Sequence, residues 1–178
     1  MCWGKKKQSF FHPFTERTFS FESLPLSAEL YHPLIEENSH DPYALVALTV
    51  VALSLYALDP EVAFAMLAEL KEPSQLTPSE RRFIADRLDE GKDYKPYSYF
   101  VGALPQNNYR AEKPYLLKVF ERKDSFQDEG YATLYLQSGG AASPRMVRLR
   151  KRSDGSWALW EEFLLADIIA PKKDNPWA

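Results

Sequence analysis

Five basic residues lie within eight positions in the C-terminal half, and such a cluster has the chemistry to bind an anionic group. The cluster comprises Arg145, Arg148, Arg150, Lys151 and Arg152. Trp160 follows it, and a guanidinium group both stacks on an indole ring and donates paired N–H bonds to a carboxylate or phosphate. The same alternation of basic and apolar residues is also typical of a core strand with a solvated outer face. A partner-binding site and a plain strand face are therefore both open interpretations.

The glycine-rich run "SGGAASP", which begins at Ser138, matches neither of the two common phosphate-binding loops. No Gly-Lys-Ser or Gly-Lys-Thr follows it, as a P-loop requires, and no G-x-G-x-x-G leads into a helix. We interpret the run as a loop between two strands. In this loop we expect Gly139 and Gly140 to supply backbone angles that other residues avoid.

A second candidate site lies in the loop "SYFVGALPQNNYRAEKPY", which is rich in proline, asparagine, glycine and tyrosine. Its candidate binding side chains are Tyr99, Asn107, Asn108 and Tyr109. Asparagine offers amide donors and acceptors, and tyrosine offers amphipathic contact area. The same residue types are also typical of tight turns and of tyrosines that anchor a loop. The pattern does not separate a binding site from simple turn chemistry.

Metal and cofactor sites are not predicted. His32, Glu36 and His40 have the spacing of ligands on one helical face, but Pro33 lies inside that span and is expected to interrupt the helix. The single cysteine, Cys2, excludes an internal disulfide bond and a cysteine-based zinc site. We therefore predict no metal and no cofactor.

The adjacent carboxylates of Glu161 and Glu162 are the best candidates for acid–base chemistry. Neighbouring residues on a strand point to opposite faces, so this pair does not share one substrate atom. One of them could occupy a cavity between helices and sheet, beside Asp167 or Tyr135. Such a cavity would favour a small-molecule enzyme, whereas a closed apolar core would favour a non-enzymatic binding or protein-interaction module. We favour the module from the sequence and keep the enzyme as the alternative.

Three helix starts are marked by a capping residue that is followed by proline. The pairs are Asp41-Pro42, Asp59-Pro60 and Thr77-Pro78. The cap side chain accepts hydrogen bonds from free N–H groups of the first turn. Proline has no N–H group, and at the first helical position that group would have no partner within the helix. The run 44–58 is apolar nearly all round and reaches only ~22 Å, short of the ~30 Å hydrocarbon core. It therefore predicts a central buried helix, and the third helix is expected to bury Phe83 with Ile84.

Strand patterns follow the helices, so the sequence predicts an α+β fold. We expect three or four helices in the N-terminal half, packed on an antiparallel sheet of three to five strands in the C-terminal half. Residues 23–178 are expected to form one domain. Residues 1–22 are expected to form an N-terminal arm, which either adds an edge strand or packs across the body.

The hairpin around Asp154-Gly155 decides which way the basic residues face. A two-residue turn would pair Leu149 with Trp160, whereas a three-residue loop with a left-handed Gly155 shifts the pairing by one. In the second register the apolar set shares one face: Val147, Leu149, Trp157 and Leu159. The opposite face then carries Arg148, Arg150, Arg152, Ala158 and Trp160. We choose the second register because a one-residue slip would lose the burial of the apolar set.

The two halves of the chain differ in charge. Residues 1–93 contain 9 basic and 15 acidic side chains, whereas residues 94–178 contain 13 and 10. An anionic partner would therefore bind the second half. Three alternate arginines span only a short patch, whereas non-specific duplex binding draws on about 6–10 phosphate contacts. We predict an acidic protein segment or self-association as the partner, and no nucleic acid or membrane.

Several motifs in the same order resemble an uncharacterised bacterial family, mostly from Firmicutes, that consists of a domain of unknown function. They are "SYFVGALPQNNY", "SGGAASPRMVRLRKRSDGSWALWEEF" and the terminal "DNPWA". The resemblance covers residues 22–178 and implies a cytoplasmic bacterial protein, but it assigns no catalytic or binding residue. Ala142 and Asn175 depart from the family pattern, in which aspartate usually stands at both positions.

Overall fold

Five antiparallel strands form one sheet in chain order, in a computed structural model that describes residues 15–174. The strands are β1 Glu16–Phe21, β2 Tyr115–Phe120, β3 Tyr131–Leu136, β4 Arg145–Lys151 and β5 Trp157–Glu162. Strand β1 pairs with β2 along its whole length. Residues 16–21 of the N-terminal segment thus form an edge strand of the sheet. Asn175 and the first 14 residues lie outside the described part of the chain.

The helices lie mostly in the N-terminal half, and the predicted α+β class is confirmed. They are α1 Ala28–Asn38, α2 Pro42–Ser54, α3 Pro60–Leu70, α4 Pro78–Leu88 and the single turn α5 Tyr94–Tyr97. The three predicted caps are present. For example, the Asp41 carboxylate accepts the Tyr43 N–H at 3.0 Å, and Thr77 with Glu80 forms a reciprocal capping box.

Helix α2 is the central helix of the fold, as the apolar run predicted. Every residue from Ala44 to Leu55 is buried, and the helix packs against β1, β2, β3 and β5 as well as against neighbouring helices. Regular helix ends at Ser54, a 3-10 turn follows, and Leu58 is exposed. None of the helices in residues 15–174 combines the length and apolarity that crossing a bilayer requires.

Helix α1 continues through Pro33, and the expected interruption was wrong. Proline removes one helical hydrogen bond, but Tyr31 and Ile35 are buried on either side of it and hold the helix against the body. The His32 ring contacts the Glu69 carboxylate on α3, whereas His40 lies beyond the end of α1. Within residues 15–174 no cluster of three metal-ligating side chains occurs.

The β4–β5 hairpin has the predicted register near its turn. Gly155 has a φ of 86°, Leu149 pairs with Leu159, and the four apolar residues predicted to share a face are all buried. Farther from the turn the register shifts between Leu149 and Arg148.

The register shift leaves Trp160 as the extra residue of a β-bulge, and it changes which glutamate faces the core. Beyond the bulge Arg148 pairs with Glu161, and Val147 pairs with Glu162. A continuous register would have paired Val147 with Glu161. A bulge changes the direction of the side chains that follow it. Glu162, and not Glu161, therefore lies opposite the buried Val147 in the strand pair.

The two glycines of "SGGAASP" are needed for close packing, and the expectation of unusual backbone angles was wrong. Neither Gly139 nor Gly140 has a positive φ. A Cβ on Gly139 would lie 2.0 Å from the Ala103 carbonyl oxygen, and one on Gly140 would lie 1.9 Å from the Tyr109 hydroxyl. The run packs directly against the loop that follows α5.

Candidate ligand-binding cleft

Arg148 and Arg150 project from the face of the sheet opposite the helices, as the chosen register predicts. The Arg148 guanidinium lies 4.4 Å from the centre of the Tyr131 ring and donates to Asp128 at 2.8 Å. Its Nε is buried and has no hydrogen-bond partner in the described residues. Arg150 is exposed and lies 5.1 Å from the ring of Trp160, whose side chain remains partly exposed.

Arg152 does not share that face, and its predicted placement was wrong. Strand β4 ends at Lys151, and the Arg152 guanidinium turns to the segment that follows α3. There it donates to the Glu72 carboxylate at 2.6 Å and to the Lys71 carbonyl at 3.1 Å. The placement is set by a carboxylate that lies 80 positions away in the chain.

Arg145 is also separate from the outer face. Its guanidinium donates to the carbonyl groups of Ala166 at 3.1 Å and Asp167 at 3.2 Å. These bonds hold the segment that follows β5. The structure therefore brings together Arg148, Arg150 and Trp160 from the basic cluster, and it separates Arg145 and Arg152 from them.

The tyrosines of the second candidate loop bind the segment that follows β5. Tyr99 donates to the Leu164 carbonyl at 2.6 Å, and Tyr109 donates to the Ile169 carbonyl at 2.5 Å. Burial raises the pKa of Tyr99 above its ordinary value and raises the pKa of Tyr109 to about 12. Both hydroxyls thus remain protonated donors at neutral pH.

The asparagines of the same loop complete local turns. The Asn107 amide donates to the Gly102 carbonyl at 2.8 Å and accepts the Leu104 N–H at 2.9 Å. Asn108 has a left-handed φ of 56° and accepts the Lys173 N–H at 3.2 Å. These side-chain groups are engaged within the chain.

A cleft of about 380 Å³ lies between α3, α4 and β5, and the sequence analysis raised such a cavity between helices and sheet only for the enzyme alternative. Its apolar lining comprises Leu53, Leu67, Leu76, Phe83, Ile84, Leu159, Trp160 and Phe163. Phe83 was expected in the core, but its side chain is 49% exposed. Helix α4 buries Ile84 and Leu88 and leaves Phe83 to line the cleft.

Glu162 is the polar group of this cleft whose environment is most unusual. Its carboxylate is surrounded by protein atoms yet still reached by solvent through the cleft. Burial raises the pKa of Glu162, against the opposing effects of the Leu164 N–H, Arg87 and Lys71. The Leu164 N–H donates to one carboxylate oxygen at 2.8 Å, and no other hydrogen bond or ion pair to this carboxylate occurs in the described residues.

Replacing Glu162 with glutamine is expected to stabilise the protein at pH 8 and to lose this advantage below pH ~4.3, the ordinary glutamate pKa. A raised pKa in the folded state means that stability is present below the unfolded pKa and is lost as pH rises through the folded pKa. Glutamine removes that loss and can still accept the Leu164 N–H. Thermal unfolding at both pH values measures the effect, with the exposed Glu161→Gln as control. Equal changes in melting temperature for the two variants at pH 8 would contradict it.

Lys71 and Glu80 form an ion pair beside Glu162 in the cleft lining. Burial alone would raise the pKa of Glu80, but hydrogen bonds from Lys71 and Thr77 outweigh it and hold the pKa below its ordinary value. Glu80 therefore stays ionised at neutral pH. Among the described lining residues this leaves Glu161 and Glu162 as carboxylates that Lys71 does not neutralise.

The cavity foreseen for the enzyme alternative is found in part. Glu161 and Glu162 both line the cleft, whereas Tyr135 stacks on Phe120 at 6.0 Å on the outer face of the sheet. Asp167 is exposed in the segment that follows β5. The cleft lining thus contains Glu161 and Glu162 but neither Tyr135 nor Asp167.

Comparisons with known proteins place the chain in a family without assigning an activity. No curated protein matches the chain, and no solved structure matches it. One family model, described as a domain of unknown function (DUF6935), matches residues 21–172. That match covers most of the sequence and includes the five helices, strands β2 to β5 and the cleft. The chain therefore belongs to the DUF6935 family of domains of unknown function.

Proposed function

We propose that this protein binds a small, largely apolar molecule in the cleft between α3, α4 and β5. The observation that carries the proposal is Glu162, a carboxylate that forms no ion pair within residues 15–174 and lies in a mostly apolar cavity. Burying an ionised group without a partner is unfavourable, and perturbed carboxylates in apolar cavities are typical of binding sites. The cavity volume of about 380 Å³ lies within the ~300–1,000 Å³ range of small-molecule sites.

The cleft supports binding more directly than catalysis. Lys71 and Glu80 neutralise each other, so acid–base chemistry would depend on Glu162 and the exposed Glu161. We therefore propose a non-enzymatic binding protein and keep a small-molecule enzyme that uses Glu162 as a base as the alternative. The sequence resemblance supports a bacterial cytoplasmic setting for this role.

Filling the cleft is expected to weaken the binding of a neutral apolar probe at least tenfold. Ser79 is an exposed lining residue in the first turn of α4, and Ser79→Trp would place an indole in the cavity. Titration calorimetry with 1-octanol should show saturable binding to the wild type and a loss of at least tenfold in affinity for this variant. Ser23→Trp, which adds the same group at an exposed position outside the cleft lining, is the matched control. Binding that is absent from the wild type, or unchanged in Ser79→Trp, would refute the proposed function.

A second candidate function is binding of an acidic protein segment by the outer face of the sheet. Three guanidinium groups lie over aromatic rings there: Arg122 over Tyr135 at 4.3 Å, Arg148 over Tyr131 at 4.4 Å and Arg150 over Trp160 at 5.1 Å. Stacking holds each guanidinium in place while its edge can still donate to a carboxylate. We propose an acidic segment of another protein, or the acidic N-terminal half of a second copy, and not nucleic acid.

Charge reversal on this face is expected to weaken binding of a poly-glutamate peptide by at least tenfold. The variant is Arg148→Glu with Arg150→Glu, and Arg152 is left intact because it binds Glu72. Lys172→Glu with Lys173→Glu makes the same change of charge at exposed positions elsewhere. Fluorescence anisotropy measures peptide binding, and sedimentation velocity detects self-association. Equal loss in both variants, or tight wild-type binding of duplex DNA at physiological salt, would count against this candidate.

A further inference from the structure

We propose that the cleft selects a cationic amphiphile, a molecule with an apolar body and one protonated amine, and that Glu162 binds the amine. The inference rests on the proposed function, since it assumes that the cleft is a ligand site. It adds the chemical class of the ligand and the residue that distinguishes this class from neutral molecules of the same shape.

The hydrogen bonds of Glu162 leave an acceptor for the ligand. One carboxylate oxygen accepts the Leu164 N–H at 2.8 Å, and Leu164 is buried. This bond fixes the carboxylate without using its other oxygen. A protonated amine in the cleft would form a charge-assisted hydrogen bond with that oxygen, which is stronger than a bond between neutral groups.

The charged groups around the cleft favour a cation. Lys71, at the end of α3, is paired with Glu80 on α4. Arg87 on α4 lies over the Phe83 ring at 4.7 Å, and its charge opposes the rise in the pKa of Glu162 without an ion pair between the two in the described residues. Glu161 on β5 adds a further carboxylate to the lining. An anionic ligand would meet two unneutralised carboxylates, and a neutral ligand would leave Glu162 without a cation.

The remainder of the lining suits an apolar body. Leu53, Leu67, Ile84 and Leu159 are buried residues of four elements that line the cleft. Phe83 is exposed and lines the same cavity, so a bound chain would cover this apolar surface. Removing apolar surface from water contributes about 25 cal/mol per Å². The apolar body would therefore supply affinity, and Glu162 would supply selectivity.

The proton equilibrium of Glu162 gives the binding a recognisable pH dependence. Burial raises the pKa of this carboxyl, with the Leu164 N–H, Arg87 and Lys71 opposing the shift, so the carboxyl stays protonated to a higher pH than an ordinary glutamate does. A cation binds the ionised form, and amine affinity is expected to rise with pH through the pKa of Glu162. A neutral alcohol of equal length should show no such rise.

Three probes of equal chain length test the inference: octylamine, 1-octanol and octanoate. We expect octylamine to bind at least tenfold more tightly than 1-octanol at pH 7, and octanoate to bind most weakly. Glu162→Gln should remove the preference for the amine and retain 1-octanol binding, because glutamine keeps the shape and the Leu164 bond. Glu112→Gln, an exposed position outside the cleft lining, is the matched control and should leave the preference unchanged, whereas Glu161→Gln, within the lining, should weaken it less than Glu162→Gln does. Circular dichroism verifies the fold of all three variants.

The outcomes separate this inference from the function on which it rests. If 1-octanol binds and octylamine binds no better, the cationic class is wrong and the apolar cleft stands. If none of the three probes binds, the proposed function itself fails. If Glu161→Gln removes the preference and Glu162→Gln does not, the assignment to Glu162 is wrong.

Discussion

Replacing Trp157 with alanine is expected to lower the free energy of unfolding by about 3–5 kcal/mol, as is typical of a large buried aromatic residue. The Trp157 side chain is 9% exposed and belongs to the same core as Leu149 and Leu159. Its backbone N–H donates to the Ser39 carbonyl at 2.8 Å, so neighbouring chain segments are fixed around the indole. The cavity left by alanine would therefore not collapse completely. Urea denaturation at neutral pH measures the difference.

Trp160→Ala is the control, because Trp160 is the bulge residue on the opposite face and its side chain is 39% exposed. Its contacts with Tyr131 and Arg150 lie at the surface, so a cost of less than ~1.5 kcal/mol is expected, as for a single aromatic pair. Similar costs for the two variants would show that the two faces of the hairpin are not distinguished by burial.

The features predicted correctly from sequence are those that depend on neighbouring residues. The Asp41 and Thr77 caps were predictable because a cap and its N–H partners lie within four positions. The hairpin loop was predictable because Gly155 has the left-handed conformation that a three-residue loop requires. Burial of the 44–55 run followed from its composition, since an apolar helix of this length must be covered on every side.

The features missed depend on contacts between distant parts of the chain. The bulge at Trp160, which gives Glu162 its inward register position, has no local signal around it. The cleft exists because α4 lies across from β5, although nearly 70 residues separate Leu88 from Trp157. Arg152 resembled its strand neighbours in sequence, but Glu72 determines where its guanidinium lies. Local chemistry thus predicted the elements, and the candidate site arose from their assembly.

Adding a single methyl group at Gly139 is expected to cost about 3 kcal/mol or more, the upper part of the range for overpacked sites. The added Cβ would lie 2.0 Å from the Ala103 carbonyl oxygen, which is backbone and not the end of a flexible side chain. Two hydrogen bonds to Ser98 leave the loop little room to relax. The Gly139 N–H donates to the Ser98 carbonyl at 2.8 Å, and the Ser138 hydroxyl donates to the Ser98 hydroxyl at 2.7 Å.

Gly102→Ala separates this steric cost from backbone strain. Gly102 has a φ of +85° with nothing within 4 Å of an added Cβ, so only the left-handed conformation opposes alanine, at about 1–2 kcal/mol. Gly139 has no positive φ, so its cost must come from steric overlap, above all with the Ala103 carbonyl and to a lesser degree with the Leu104 side chain. Urea denaturation of the two alanine variants should therefore rank Gly139→Ala as the more destabilised. The opposite ranking would mean that the loop moves away from Ala103 and that the paired glycines serve flexibility instead of close packing.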